Sequence, residues 1–458
     1  MGRTDNRKAY KAQLVAFMSF LDDREYPKDQ TFDNTRLLQI TPQDVLRWFN
    51  LKAYGTENPS DDANPIECRS SSIEYAKKSL SSFMPNKPFP WNEATKHGNP
   101  TRSPLISEFL KKIRKKEVRS QGAPAMDVRP FTEGETVHIL THLRESPEGG
   151  IVTRYGVPAL LCFEIHLLSR CDCASQLQTH KLRAHGQYKD FVLQAQLAWS
   201  KNVQQVGDAP WQMIIGQMNP MFCVLVSLSI WCEFYFGRTQ GLSPYVYDFS
   251  GNFSIPKGGD ASNDFVAKAV RKIIKDVSFP AEEGGRIGCY GIRKYASTRS
   301  RRCGANKDEK DYRGRWKCDR RVSDRYDGEI PYVDAKVGGM MCHGGPCSYR
   351  IKADSPVTDD WILEHVVPNI AASSYGPSIA KILGKALLSV IFSSKSDWVP
   401  PAIVERVKNA YKDLFEDEAN YEVTPIEKKL LIIMGDEARL LITEANPFQD
   451  TPEGQDPV

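Results

Sequence analysis

No stretch of the sequence is apolar for long enough to suggest a membrane-spanning protein. The most apolar segment begins at Met221 and is interrupted by Glu233, so it is too short to cross a bilayer comfortably and predicts a buried core helix. The sequence also lacks the Gly-x-x-x-x-Gly-Lys loop that cradles nucleotide phosphates, so no ATP requirement is implied. We therefore expect a protein that acts without a membrane and without ATP.

Cysteine occurs without the spacing of a disulfide framework or of a metal site. The 11 cysteines are scattered and no secretory signal opens the sequence, so we expect reduced thiols in a cytosolic or nuclear protein. Cys342, His343 and Cys347 are not a good tetrahedral zinc set without a partner pair, which Cys303 and Cys318 could supply only by a coincidence of folding. We therefore predict no metal and no other cofactor.

Positive charge is nearly balanced over the whole chain but is concentrated in parts of it. The net charge is only +4, so any nucleic-acid surface has to come from local clustering. Residues 286–325 contain 14 lysines or arginines against 5 aspartates or glutamates, and Tyr326 follows them directly. Within this cluster we expect Lys294, Arg301 and Arg302 to make non-specific contacts to DNA phosphates.

A second group of positive charges lies on a predicted helix that starts at Ser103. Apolar residues at helical spacing form one face of this helix. The opposite face carries six cations, which are Lys111, Lys112, Arg114, Lys115, Lys116 and Arg119. We interpret this basic face as a contact to DNA phosphates. The alternative is an exposed face whose charges are merely solvated.

Helix-start signals and apolar periodicity predict a mostly α fold with a small β-hairpin or sheet, hence an α+β protein. Thr41 and Thr132 are expected helix N-caps, each with a carboxylate three residues later, and residues 245–256 have the aromatic and turn pattern of a hairpin. Residues 123–130 resemble a linker, which places the main domain boundary there.

This boundary and the positions of the later helices predict four regions. Residues 1–125 form a helical domain with the basic face, and residues 131–353 form a mixed domain that contains the cluster ending in Tyr326. Residues 354–445 form a helical extension packed on that domain or on a partner subunit. Residues 446–458 are polar and proline-rich, which is typical of a disordered tail.

A cluster of guanidinium groups that ends in a tyrosine is the minimum set for metal-free phosphodiester chemistry. The transition state carries close to two negative charges, and arginine can donate two parallel hydrogen bonds to phosphoryl oxygens while it stays charged. A tyrosine hydroxyl can act as nucleophile if nearby positive charge eases its deprotonation, and the leaving oxygen needs a proton donor.

Three sequence segments resemble the motifs of the tyrosine recombinase (phage integrase) superfamily, and most closely its eukaryotic Crypton-type branch. They read FGRTQGLSPYVYDF, YGIRKYASTRSRRCGA, and YRGRWK followed by VSDRY. Their order and spacing match the family over roughly residues 40–335. The resemblance implies that Arg238 and Arg293 are the two catalytic arginines and that Tyr326 is the nucleophile. For Arg238, the alternative is that it ends a helix by pairing with Asp248.

Several positions depart from the family pattern. Tyr290 stands where the family usually has a histidine, and a phenol does not exchange protons at neutral pH as imidazole does. Either Arg315 or Trp316 fills the third-motif position. Lys257 is the candidate general acid, although it could simply cap a surface turn. Tyr332 rivals Tyr326 as nucleophile, but the proline before Tyr332 argues against the helical presentation usual for that residue.

The resemblance implies a DNA clamp built from the helical domain and the mixed domain. We expect double-stranded DNA as the partner, a homotetramer on that DNA and a nuclear location (or a cytoplasmic one in a prokaryotic host). The expected activity is DNA cleavage and rejoining for integration or excision of a mobile element. The alternatives are a domesticated, inactive DNA-binding protein and a metal-dependent transposase, for which an absolute Mg²⁺ requirement would be the mark.

Overall fold

The computed structural model describes residues 2–124, 127–146, 150–199, 209–239, 244–249, 259–316, 331–351, 355–414 and 432–434. The chain divides into two compact units between Asp127 and Val128. This division falls at the linker that the sequence predicts between the helical and the mixed domain.

Apart from two isolated β-bridges, Pro90 with Asn99 and Asn92 with His97, the described secondary structure of the first unit is helical, and its apolar faces meet in one core. Its helices are α1 (Gly2–Asp22), α2 (Asn34–Leu38), α3 (Pro42–Tyr54), α4 (Ser70–Phe83) and α5 (Pro104–Val118). The Thr41 hydroxyl accepts from the Asp44 N–H at 3.3 Å while the Asp44 carboxylate accepts from the Thr41 N–H at 3.0 Å, so the predicted capping box is confirmed. Ser103 caps α5 in the predicted position.

The second unit is also mostly helical. Its helices are α6 (Glu133–Glu145), α7 (Val157–His166), α8 (Cys171–Ala174), α9 (Val224–Thr239), α10 (Gly259–Ile274), α11 (Tyr290–Arg302), α12 (Lys307–Gly314), α13 (Pro331–Met340), α14 (Asp359–Trp361), α15 (Pro368–Ala371), α16 (Gly376–Ile391) and α17 (Pro401–Lys412). The second predicted capping box is present at the start of α6, between Thr132 and Glu135.

Short antiparallel strands form the remaining regular structure. The strands β1 (Leu182–Ala184), β2 (Leu193–Gln196) and β3 (Trp211–Ile214) form one sheet in that order, with Leu182 opposite Ala195 and Gln196 opposite Trp211. A second sheet contains β4 (Gly216–Gln217), β5 (Pro346–Arg350) and β6 (Ile432–Met434). A mostly α fold with a small sheet is thus confirmed, but the described sheets lie away from the hairpin predicted over residues 245–256. That segment lies partly outside the described residues, and Tyr245 within it forms an isolated bridge with Gln178.

Two apolar helices, α7 and α9, form the centre of the second unit. Every residue of α7 is buried, and Trp231 of α9 is fully buried, so the apolar segment that begins near Met221 is a core helix as predicted. Among the helices that the structure describes, none is long and apolar enough to cross a membrane.

The helices beyond residue 354 pack into the same core. Buried Glu233 of α9 accepts hydrogen bonds from the Asn369 amide nitrogen at 2.8 Å and the Ile370 N–H at 3.1 Å, and it pairs with Arg406 of α17 at 2.8 Å. The apolar side of α16 lies against α9, and its residues belong to the core cluster that also contains α7. These contacts make α14 to α17 an integral layer of the second unit.

Candidate phosphate-binding site

One face of α11 lines a cavity of about 420 Å³ in the second unit. Residues at positions i, i+3, i+4, i+7 and i+8 of a helix share a face, and five residues of α11 at this spacing reach the cavity. They are Tyr290, Arg293, Lys294, Ser297 and Thr298. The opposite wall comes from α12 and the residues after it, namely Lys310, Asp311 and Trp316, and Pro130 completes the lining. Three of these nine side chains are cations and one is a carboxylate, Asp311, which pairs with Lys310 at 3.8 Å. The lining therefore carries a net positive charge, which favours an anion.

Arg293 lies at the buried end of this cavity. Only 4% of the residue is exposed, and its Nη2 donates to the Gly314 carbonyl at 2.9 Å. Its Nε has no hydrogen-bond partner within the described part of the chain. Burial, followed by the charge of Arg170, lowers the pKa of Arg293 below the ordinary arginine value. The Gly314 carbonyl therefore holds one side of the guanidinium, and the Nε–H remains available to donate a hydrogen bond.

Trp316 is placed between two of the cations. Arg293 Cζ lies 4.7 Å and Lys310 Nζ lies 5.2 Å from the centre of its ring. A Cβ on Gly314 would lie 1.9 Å from the Trp316 ring, so the absence of a side chain at residue 314 permits this position. The indole thus shapes the cavity while its π face stabilises the positive charges beside it.

Arg315 is partly exposed, but its Nε is buried, and its backbone ends α12 in the left-handed conformation with φ 52°. Its Nη1 donates to the Leu197 carbonyl at 3.0 Å, and its Nε has no hydrogen-bond partner among the described residues. Burial, together with the positive charges of Arg293 and Arg170, lowers the pKa of Arg315 to about 10. Both residues of the third predicted motif therefore lie at the site, Trp316 at the cavity and Arg315 beside Arg293.

Arg170 completes this group and was missed in the sequence interpretation. It is the residue before α8, and Leu168 two residues earlier turns the chain with φ 50°. Its charge acts on both Arg293 and Arg315. The sequence contains a weak signal for it, because Arg170 follows the apolar residues of α7 just as Arg238 follows those of α9.

The carboxylates that act on these arginines, Asp172 on Arg315 and Glu164 on Arg293, do not form ion pairs with them. Across the described ranges, neither Arg293 nor Arg315 has a carboxylate within ion-pair distance. Arg313 shows the contrast, since it is fully buried and bonds to the Asp334 carboxylate at 2.6 Å, which identifies a structural ion pair. Glu164 is near Arg293, but burial raises the pKa of Glu164 to about 8, so this acid is mostly neutral at pH 7.

The other predicted site residues of the second unit are distributed as follows. Tyr290 is 52% exposed and lines the cavity at the first turn of α11, and Lys294 lies one residue after Arg293 on the same wall. Arg301 and Arg302 are exposed on the last turn of α11, where they can meet a polyanion. Arg238 is exposed on the last turn of α9, with its guanidinium 5.5 Å from the Phe234 ring, and it is not among the residues that line the cavity.

Two predicted catalytic residues, Lys257 and Tyr326, lie outside the described residues. The rival nucleophile Tyr332 is in the first turn of α13, which begins at Pro331. The argument that this proline opposes helical presentation is therefore wrong, because proline at the first helical position is compatible with a helix. Tyr332 remains an alternative to Tyr326.

The basic face of α5, described within the first unit alone, separates into two sets. Lys112 pairs with Asp61 at 3.9 Å, Arg114 pairs with Glu74, and Lys116 donates to a backbone carbonyl. The other three cations, Lys111, Lys115 and Arg119, are exposed, lie four residues apart on one helix face, and have no ion pair in the described part of the first unit. We call these three residues the α5 stripe.

Comparison with known proteins identified no relative of this chain. No protein-family model matches the chain, and no curated protein matches it. What the site can do therefore has to be argued from its chemistry. Arg293 lines a cavity with a phenol, two lysines, two hydroxyl side chains and the Asp311 carboxylate, and the charges of Arg293 and Arg170 act on the partly exposed Arg315. Apart from Asp311, this is a donor set suited to a phosphate group.

Proposed function

We propose that this protein cleaves and rejoins DNA strands as a tyrosine recombinase, through a 3′-phosphotyrosine intermediate. The observation that carries the proposal is that Arg293 is buried and Arg315 is partly buried, and that each has a buried Nε–H with no hydrogen-bond partner and no carboxylate at ion-pair distance among the described residues. Burying a guanidinium without a counter-charge is costly, so such a pair is best explained by an anion that binds between them.

In this proposal the role expected of Arg238 belongs to Arg170. The charge of Arg170 acts on both Arg293 and Arg315, whereas Arg238 is exposed beside Phe234. Arg170, Arg293 and Arg315 would bind the non-bridging oxygens of the scissile phosphate. Tyr290, at the mouth of the cavity, would donate its hydroxyl hydrogen to the same group.

The reaction then follows from the bonds exchanged at phosphorus. The Tyr326 oxygen loses its proton and bonds to phosphorus, while the bond to the 5′ oxygen breaks and that oxygen takes up a proton, for which Lys257 is the candidate donor. A 5′ hydroxyl of a second strand reverses these steps, which releases the tyrosine. Since the phosphotyrosine retains the bond energy, rejoining needs no ATP. A homotetramer on double-stranded DNA, a nuclear location and a role in mobile-element integration or excision complete the proposal.

A covalent trapping assay tests it. Full-length protein would be incubated without metal with nicked, end-labelled DNA from the flanks of its own gene, and then denatured. We expect a labelled protein–DNA adduct that disappears in Tyr326→Phe and persists in Tyr332→Phe. The reverse pattern would move the nucleophile to Tyr332.

The two arginines provide a matched pair of variants for the same assay. Arg170→Ala should abolish the adduct, and Arg238→Ala should leave it close to the wild-type amount. An adduct that depends on Arg238 but not on Arg170 would refute the assignment of the first arginine.

A second candidate function is a domesticated DNA-binding protein that retains the clamp without catalysis. Tyr290 favours it, because a phenol replaces the imidazole that the family usually has at this position. Salt-dependent DNA binding with no adduct on any flanking DNA would support this function over the recombinase.

A further inference from the structure

Trp199 is a large aromatic residue left in solvent close to the arginine group. It is 66% exposed and lies three residues beyond the end of β2. Single exposed apolar residues are common on protein surfaces, so the case for Trp199 depends on what lies next to it.

One hydrogen bond places the backbone just before Trp199 beside Arg315. Arg315 Nη1 donates to the carbonyl of Leu197, two residues before Trp199, at 3.0 Å. Two residues span at most about 7 Å, which corresponds to about two nucleotide steps of a duplex strand at about 3.4 Å each. A nucleotide next to a phosphate on Arg315 would therefore lie within reach of the indole ring.

One face of the β1–β3 sheet also carries cations next to an aromatic ring. Arg183 lies 3.8 Å above the ring of Trp211, and its Nε donates to Gln194 at 3.1 Å. Lys181 donates to Gln196 at 2.7 Å, and Gln196 is opposite Trp211 in the sheet register. This face presents two cations beside one aromatic ring, and cations next to aromatic rings form the type of surface on which single-stranded nucleic acids lie.

We propose that Trp199 stacks on an unpaired base next to the phosphate bound by Arg170, Arg293 and Arg315. The favoured substrate is then DNA that is locally single-stranded beside the scissile phosphate. This inference rests on the proposed function and adds the state of the DNA that the site recognises. The base has to be unpaired, because a base in an intact duplex already has stacking partners on both sides. An unpaired base has a free face on which the exposed indole can stack.

The test compares two DNA probes, a labelled single-stranded oligonucleotide and the same strand fully paired with its complement. With full-length protein, Trp199→Ala should weaken single-strand binding by roughly 5- to 150-fold, the range for loss of one stacked base. Duplex binding should change less than about threefold. Trp199→Phe should retain most of the affinity because the phenylalanine ring can also stack. Val277→Ala changes an apolar residue that is fully exposed elsewhere, and it should have no effect.

Salt dependence separates stacking from charge. The slope of log affinity against log salt should be unchanged in Trp199→Ala and should decrease in Arg293→Ala, which removes a phosphate contact. Equal losses for both probes, no loss for either, or a changed slope in Trp199→Ala would overturn the inference. If Trp199→Ala binds like wild type and still forms the Tyr326 adduct, the recombinase proposal survives without it. If the wild-type protein binds neither probe, both proposals fall.

Discussion

Replacing Gly314 by alanine tests whether the position of Trp316 matters to the site. The added Cβ would lie 1.9 and 2.1 Å from two carbons of the Trp316 ring, well inside van der Waals contact. The backbone of Gly314 is helical and does not have positive φ, so alanine itself is compatible with the conformation. The ring therefore has to move by more than 1 Å, as roughly 3.5–4.0 Å is the normal carbon–carbon contact.

The expected effect on stability is small because two contributions oppose each other. Alanine improves on glycine within a helix by up to about 1 kcal/mol, while overpacking costs about 1–3 kcal/mol. Trp316 is only half-buried, so its ring can turn toward solvent, which places the overpacking cost at the lower end. We expect the free energy of unfolding to decrease by no more than about 1 kcal/mol in urea.

The expected effect on DNA binding is larger. Displacement of the ring frees Arg293 and Lys310, which now lie 4.7 and 5.2 Å from its centre, to reorient, and each side chain that binding then has to order costs about 0.5–1.5 kcal/mol. A loss of about 1–2 kcal/mol corresponds to roughly 5- to 30-fold weaker binding. The assay is the affinity for labelled DNA at fixed salt, with the circular dichroism spectrum as the control for folding.

A double-mutant cycle decides whether Trp316 is the cause. If the reasoning is correct, Gly314→Ala weakens binding in the wild type and has no further effect in a Trp316→Ala background. An unchanged affinity in Gly314→Ala, or an equal loss in both backgrounds, would refute it.

Two further predictions concern charge. The pKa of Glu164 is raised to about 8 in the folded protein from an ordinary 4.5, so the folded state keeps a proton that the unfolded state loses, and wild-type stability falls as pH rises through this window. The glutamine in Glu164→Gln cannot titrate, so the free energy of unfolding of this variant should rise by about 3 kcal/mol relative to that of the wild type between pH 4.5 and 7. Urea unfolding at each pH measures this difference, and parallel pH profiles of the two proteins would contradict it. In the α5 stripe, Lys115→Ala should weaken DNA binding uniformly across sequences and lower the salt slope by about 1, whereas Lys112→Ala should change it less because Lys112 already pairs with Asp61; equal slopes would argue against a DNA contact.

Helices with strong local signals could be predicted from the sequence. The capping boxes at Thr41 and Thr132 involve only residues three apart, and both form as expected. The buried helix α9 was predicted because its residues are apolar on every side. In each case the information is local, so tertiary context did not have to be known.

The sheets could not be predicted in the same way. The strand β2 reads LQAQ, and all four of its residues are buried, including two glutamines that bond to neighbouring side chains and backbone. Polar residues of this kind suggest a loop when their partners are unknown, because strand preference reflects packing more than intrinsic backbone preference. The aromatic segment after Tyr245 gave the stronger strand signal, yet its described residues pack into the core beside Trp231.

The choice between Arg170 and Arg238 shows what a motif match leaves open. Arg170 follows the apolar helix α7 and Arg238 lies in the last turn of the apolar helix α9, so spacing from an apolar run cannot separate them. What separates them is the partner of each helix: α7 lies beside α11, which carries Arg293, whereas the end of α9 lies near α15, where a Cβ on Gly237 would touch Asn369. A guanidinium at the end of α7 is therefore brought to other guanidiniums, and one at the end of α9 is not. Like charges are held together only where the fold supplies enough apolar burial to offset their repulsion, and the core that joins α7, α9 and α16 is the largest apolar cluster in the described structure. An anion that binds between these arginines removes the repulsion between them. The free energy released in this way adds to the affinity of the site for a phosphate.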